Sequence, residues 1–313
     1  MSLFKNSFHV GDLEVNADAY SELFETEFVR FDITANDPLI LINAAQETTR
    51  PSALVIGGTE GGIEKRLCKE ETPDGREGVR VQIYRRHKSK KLTIGERIRQ
   101  GTLIRLGTAI FDYNRDCEKK YDIMKNVGFC GDGHQELVKK YGREMIKIPL
   151  ARGDFYIENG LGLGKGIAGG DILYFCNNEL SEGELTRKVT KAVRKVEGAI
   201  APFEICGGAS KLGSDMAEKY KGTKLGEEYK AIGPTTNQRY CPTLRNKIPD
   251  SEVPEGITSI PETIINGINI DVVKTAMKEV IETVSDIRGV LGVSSVNFGG
   301  RLGKYKIYLK DLF

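Results

Sequence analysis

The sequence predicts an α+β protein of two ferredoxin-like α/β sandwich lobes, each a mainly antiparallel sheet flanked by helices. Three observations carry this. Strand and helix patterns follow the order β-α-β-β-α-β twice over, the split βαβ order. The strongest helical patterns have one apolar face each, as helices covering one side of a sheet require. The chain of 313 residues with 39% hydrophobic content can bury one large core or two smaller ones, and two are expected. The division falls at 150/151, giving an N-terminal lobe over 1–150 and a C-terminal lobe over 151–313.

Taken in order, Glu27 to Ile33 reads as a strand and Pro38 to Glu47 as a short helix entered at Asp37-Pro38. Ala53 to Ile56 is a second strand, stopped by Gly57-Gly58. Gly78 to Tyr84 alternates with period two, Leu92 to Leu106 carries apolar residues at helical spacing, and Thr108 to Phe111 is a strand. Residues 112 to 150 are irregular, with a strand expected near Asn126 to Cys130, a turn at Gly131-Asp132-Gly133 and a return at Glu144 to Pro149. The second half opens with strand Asp154 to Glu158, a glycine-rich bridge and strand Asp171 to Cys176. Ser181 with Glu184 forms a capping box ahead of a helix whose apolar face is Leu185, Val189, Ala192, Val193 and Val196. Strand Ala199 to Cys206 precedes a long polar excursion, Gly207 to Gly256. Strand Ile257 to Ile265, helix Asp271 to Asp286, strand Val290 to Asn297 and strand Tyr305 to Leu309 complete the order.

Composition removes several classes of function. Lys and Arg number 46 against 44 Asp and Glu, both signs mixed along the chain, so no basic block marks a nucleic-acid binder. No apolar run has the roughly 18 residues of a membrane span, and the N-terminus lacks the zones of a signal peptide. A soluble cytoplasmic protein is expected. The six cysteines form no C-x-x-C pair, and reduced thiols are the default. His9, His87 and His134 are not spaced as metal ligands, which argues against a metal enzyme and against a Cys-His or Ser-His pair.

The stretch Ser259 to Gly267 sets one carboxylate, Glu262, in an otherwise uncharged and largely apolar run. On a buried strand, loss of water would raise its pKa toward the range where it exchanges protons at neutral pH; on an outward-facing strand it would be an ordinary surface acid. Gly164-Lys-Gly166-Ile-Ala-Gly169 matches the dinucleotide fingerprint, but a strand follows where the fingerprint needs a helix. A close-packed loop between lobes is the preferred reading over a nicotinamide site. Cys241 lacks a neighbouring base that would make it a nucleophile. The polar excursion is more site-like, because long loops inside compact domains are usually functional or disordered. It gathers Ser210, Lys211, Thr235, Thr236, Asn237 and Tyr240. Asn297-Phe298-Gly299-Gly300 forms a glycine-rich strand exit that echoes Gly207-Gly208 earlier in the chain.

Several of these blocks, in this order, carry a resemblance over nearly the whole chain. They are Ile33-Thr-Ala35, Glu70-Glu-Thr-Pro-Asp-Gly-Arg76, Gly131-Asp-Gly133, Ala168-Gly-Gly170, Val196 to Phe203, Ala209-Ser-Lys-x-Gly213, Thr236-Asn237, Tyr240-Cys-Pro-Thr243, Glu262 to Gly267, and Asn297 to Gly303 with the ending Asp311-Leu-Phe313. The chain closely resembles the formylmethanofuran:tetrahydromethanopterin formyltransferase family. The resemblance implies a cytoplasmic homo-oligomer, typically a tetramer, with no metal and no tightly bound cofactor. Methanofuran and tetrahydromethanopterin, small-molecule C1 carriers, would be its co-substrates, and nucleic acid and membranes would not be partners. The family's proposed catalytic carboxylate falls on Glu262. Asn266, Asn297 and the Gly299-Gly300 backbone are then candidates to hold the oxyanion, and Ser210, Lys211, Thr235, Thr236 and Asn237 to hold substrate. The balanced charge and the Lys/Glu-rich segment Asp215 to Lys230 depart from the acidic, shorter members. They keep in view a non-catalytic pterin-binding or assembly subunit of a formyltransferase complex.

Overall fold

A computed structural model describes residues 2–50, 58–85, 93–207, 222–223, 239–296 and 303–313. The strands are β1 (Ser7–Val10), β2 (Leu13–Asn16), β3 (Tyr20–Thr34), β4 (Thr59–Leu67), β5 (Gly78–Arg85), β6 (Ala109–Asp112), β7 (Lys120–Tyr121), β8 (Glu136–Lys140), β9 (Arg143–Pro149), β10 (Asp154–Glu158), β11 (Leu161–Cys176), β12 (Ala199–Ile200), β13 (Glu262–Gly267), β14 (Val290–Ser294) and β15 (Tyr305–Tyr308). The helices are α1 (Pro38–Thr49), α2 (Ile94–Ile98), α3 (Ile123–Asn126), α4 (Glu182–Lys195) and α5 (Ile270–Val284).

Two compact units result, one of residues 1–25 with 167–313 and one of residues 26–166. These contact-based units differ from a division at 150/151 in two places. The N-terminal hairpin of β1 and β2 joins the C-terminal unit because β2 pairs in parallel with β14. Residues 151–166 stay with the other unit, where β10 pairs with β6 and β9.

In the unit of residues 26–166, β3 pairs antiparallel with both β5 and β6, and β4 pairs with β5. The spatial order β6-β3-β5-β4 is that of a ferredoxin-like sandwich built by β3-α1-β4-β5-α2-β6. Val29, Phe31 and Ile33 of β3 alternate toward Leu41, Ala44, Ala45 and Ile98 of the helices in one buried cluster. Asp37 caps α1, accepting from the amides of Leu39 and Ile40 ahead of Pro38. The predicted strand Ala53 to Ile56 lies outside the described residues. Strand β4 escaped the sequence reading because Thr-Glu-Gly-Gly-Ile-Glu-Lys-Arg-Leu has no apolar alternation. The helix expected over Leu92 to Leu106 is α2 followed by a π-helical turn, Arg99–Leu103. The strand expected near Asn126 to Cys130 is instead α3 and a 3-10 turn. Asp122 caps α3 through the Lys125 amide, and Asp132 closes the turn at φ 50.

The other unit repeats the same plan. Strands β11, β12, β13 and β14 with α4 and α5 give the order β14-β11-β13-β12, all antiparallel. Ile172, Tyr174 and Cys176 of β11 face Leu185, Val189, Met277 and Val280 of the helices. Leu173 and Phe175, one residue out of phase, belong to a second cluster on the opposite face with Val253, Ile257, Ile260 and Val296. The expected glycine-rich bridge is part of β11, a 16-residue strand. It bulges between Ile167 and Gly170, where Gly169 takes φ 105. The dinucleotide-like fingerprint therefore lies inside a strand, with no helix N-terminus to receive a pyrophosphate. Strand Ala199 to Cys206 shortens to β12 because Pro202, which has no N–H to donate, follows it. Strand Ile257 to Ile265 shortens to β13 behind Pro261, with Ser259 retaining one bridge to Cys176.

Candidate active site

Strand β13 has two faces. Ile265 turns into the helix-side core, so Glu262, Ile264 and Asn266 lie on the opposite face, turned away from α4 and α5. Glu262 opens the strand. It stands opposite Leu173 on β11, and on its other side its backbone exchanges two hydrogen bonds with Cys206, at 2.8 and 2.9 Å. The backbone of Glu262 is thus held by β11 on one flank and by an isolated bridge to Cys206 on the other. The residue is half-buried, beside the apolar patch to which Leu173, Phe175 and Ile260 contribute. Tyr240 from the polar excursion packs edge-on against Phe175 with ring centroids 5.8 Å apart, and burial pushes its phenol upward. An acid half in water and half against apolar side chains is suited to receive a proton from a bound amine and return it.

Asn266 is fully buried, and its Oδ1 accepts the Gly169 amide at 3.1 Å. This contact braces the β11 bulge. Residues four apart on one strand stand roughly 13 Å apart, so Asn266 and Glu262 share a face but do not converge on one atom. Of the two, only Glu262 is open to a ligand lying along β13. Ser210, Lys211, Thr235, Thr236, Asn237, Asn297, Gly299 and Gly300 lie outside the described residues.

Sequence reasoning missed Asp171. It sits on β11 opposite Ile264, on the face turned away from α4 and α5, which makes it a diagonal neighbour of Glu262. Its Oδ2 accepts the Val296 amide at 2.8 Å, and its backbone N–H and C=O clamp the Ser21 hydroxyl at 3.0 and 2.9 Å. Ser21 in turn bonds Ser295 at 2.8 Å. The Ser295 hydroxyl also bonds the carboxyl, and among the described residues Asp171 Oδ1 has no hydrogen-bond partner. Burial, and after it the negative charge of Glu262, pushes the Asp171 carboxyl well above the usual carboxylate range. A signal for it exists in the sequence. Like Glu262, Asp171 is a single acid at the head of an apolar run, Asp-Ile-Leu-Tyr-Phe-Cys.

Other chemistry finds less support. The six cysteines are free, and burial pushes the Cys176 thiol up to about 12, far from a ready nucleophile. Among the described residues, no group of three His, Cys, Asp or Glu is placed to hold a metal ion, and no helix is long and apolar enough to cross a membrane.

The class defined by this fold is a two-unit α+β sandwich protein, with Glu262 and Asp171 as diagonal neighbours on the sheet face turned away from α4 and α5. The family model for formylmethanofuran-tetrahydromethanopterin formyltransferase matches residues 9–150, and that for the proximal lobe of the same enzyme matches residues 153–312. The chain belongs to the formylmethanofuran-tetrahydromethanopterin formyltransferase family. It is 41% identical over 309 residues to a formyltransferase-like protein of Archaeoglobus fulgidus, covering 96% of this chain and 98% of that one. It is 35% identical over 308 residues to the formyltransferase of Methanosarcina acetivorans, covering 96% and 100%. The formyltransferase structure from Methanosarcina barkeri superposes with a TM-score of 0.84 at 32% identity, over 98% of this chain and 100% of that one. A chain of the formyltransferase/hydrolase complex of Methylorubrum extorquens, solved with methylofuran, superposes with a TM-score of 0.81 at 26% identity, over 98% and 99%.

Proposed function

We propose that this protein is an N-formyltransferase that moves a formyl group between formylmethanofuran and tetrahydromethanopterin, with Glu262 as its proton shuttle. The observation that carries the reading is Glu262 itself. It is the one acid of β13, its backbone held between β11 and the Cys206 bridge, at the edge of an apolar patch in a chain of this family. In the reaction, a pterin ring amine attacks the formamide carbon, and a C–N bond forms as the carbonyl π pair moves to oxygen. Glu262 takes the proton that the attacking nitrogen releases. The oxyanion then collapses, the C–N bond to methanofuran breaks, and Glu262 returns the proton to the departing amine. No electron leaves the system and no further reactant is needed.

Asn266, Asn297 and the Gly299-Gly300 backbone are the proposed oxyanion and orientation groups, and Ser210, Lys211, Thr235, Thr236 and Asn237 the proposed substrate contacts. Fully buried and roughly 13 Å along β13 from Glu262, Asn266 acts in this reading as an orientation group that braces the β11 bulge, not as a donor to the oxyanion. The wider reading is a cytoplasmic homotetramer that uses its two C1 carriers as co-substrates and no tightly bound cofactor. The Methylorubrum extorquens relative works within a complex, so partner subunits are a further possibility of the same reading.

Relatives at 39–41% identity carry formyltransferase-like names and those at 33–35% are named as the enzyme, which supports the catalytic reading over its alternative, a pterin-binding subunit without turnover. One assay separates the two. Purified protein is given formylmethanofuran and tetrahydromethanopterin, and formyl-pterin formation is followed by absorbance. Product formation supports the enzyme; pterin binding without product supports the subunit.

A further inference from the structure

The two units share a topology but treat buried acids differently. On the face of the unit of residues 26–166 turned away from α1 and α2, two buried acids, Asp32 and Glu64, each meet an arginine. Asp32 receives Arg80 at 2.8 and 3.0 Å, and Glu64 receives Arg30 Nε at 2.7 Å. On the equivalent face of the other unit, Asp171 is 6% exposed and has no ion pair among the described residues. The carboxyl takes the Val296 backbone amide and the Ser295 hydroxyl, and among the described residues its Oδ1 has no hydrogen-bond partner. An ionised carboxylate in such a place is strongly disfavoured, whereas a neutral acid is tolerated.

The groups around it come from four elements. Glu262 faces it from β13, and Ser21 from β3, followed by the buried Glu22, which accepts the Gly303 amide. Ser295 approaches from the end of β14, and Tyr174 lies on the opposite face of β11 itself. Among these, Glu262 is the charge that acts on Asp171. Asp171 also ties down Val296, the residue that leads into Asn297-Phe298-Gly299-Gly300.

Resting on the formyl-transfer reading, we propose that Asp171 is the proton-holding partner of Glu262, a positioning residue that keeps this carboxyl pair at a single negative charge through turnover. The proton taken from the attacking amine resides on Glu262 and passes to the departing amine, while the proton of Asp171 stays in place. A neutral Asp171 leaves Glu262 able to ionise. A charged one would oppose both that ionisation and the oxyanion forming nearby.

Infrared spectroscopy of the purified full chain labelled with ¹³C-aspartate tests this directly. A protonated aspartyl C=O band is expected at pH 7, and Asp171→Asn, which keeps an acceptor for the Val296 amide, removes it. In Glu262→Gln the same band should disappear at a proton concentration at least tenfold higher, since the like charge is gone. The comparison of wild type with Glu262→Gln needs no substitution at 171. In the active enzyme, kcat/KM should fall at alkaline pH as the band is lost, and Asp171→Asn should lack that limb, which a merely structural Asp171 would leave unchanged. An aspartyl band lost near the ordinary value of about 4, or unmoved in Glu262→Gln, overturns the proposal. Ordinary titration in an active enzyme removes the pair and spares the formyl-transfer reading. The expected bands in a protein that transfers no formyl group remove that reading and spare the pair.

Discussion

Replacing Glu262 by Gln keeps the shape of the side chain and removes its proton chemistry. The backbone of residue 262 is held by the Cys206 bridge at 2.8 and 2.9 Å and by its pairing with Leu173, and neither depends on the carboxyl group. The side chain is only half-buried, so the melting temperature should stay within about 3 °C of wild type. A lost general acid–base group costs roughly 10²–10⁴ in kcat, about 2.7–5.4 kcal/mol of barrier at 1.36 kcal/mol per decade. KM should change little, because the amide still fills the space. Glu262→Asp retains the acid but withdraws it by one methylene, and a misplacement on the order of 1 Å costs about 10². Formyl-pterin formation measured under saturating conditions gives kcat for all three proteins. Near-normal turnover of Glu262→Gln would refute the shuttle, and so would equal losses in Gln and Asp variants that both melt far below wild type.

Further expectations concern the frame around the site. Asp32→Asn leaves Arg80 buried and unpaired, a loss of about 3–5 kcal/mol that urea unfolding should register. Gly169→Val puts a β-branched side chain at φ 105, with a Cβ 2.8 Å from the Glu22 carbonyl. Destabilisation of at least about 1–3 kcal/mol, together with lower activity as β11 shifts, is expected in parallel melting and turnover assays. Cys176 should resist a disulfide reagent at pH 8 in the folded protein and react once unfolded. Its folded pKa of about 12 lies above an unfolded value of about 8.5, so the native state binds more protons between them. Stability from this group is whole below about pH 8.5 and falls by up to about 1.4 kcal/mol per pH unit above it, a slope that Cys176→Ala should reduce.

Much of the fold was legible because local patterns carried it. The alternation of Val79, Val81 and Ile83, and the spacing of Leu185, Val189, Ala192 and Val193, reflect residues that must reach a core whatever the rest of the chain does. Strand β4 and the glycine-rich start of β11 were not legible, because their pairing comes from neighbouring strands and not from their own side chains. Helix α3 was misread as a strand because its cap, Asp122, acts on only four helical residues. At the site, Glu262 stood out as an acid within an apolar run. Asp171 passed unnoticed because its significance depends on a strand some ninety residues away in sequence.

By itself, the sequence determined the βαββαβ order of the second half, most of the strands and helices of the first, the apolar faces of the helices and the single acid of the Ser259 to Gly267 stretch, since each depends on a pattern within one segment. Only the tertiary structure decided which residues share a face. The register that sets Asp171 opposite Ile264 and Glu262 opposite Leu173 is a non-local property, and slipping it by one residue would turn every one of these side chains into the helix core. That register makes two separate acids into neighbours. It also sends the N-terminal hairpin to the C-terminal unit, because an exposed strand edge is satisfied by whichever segment can pair with it, near or far along the chain.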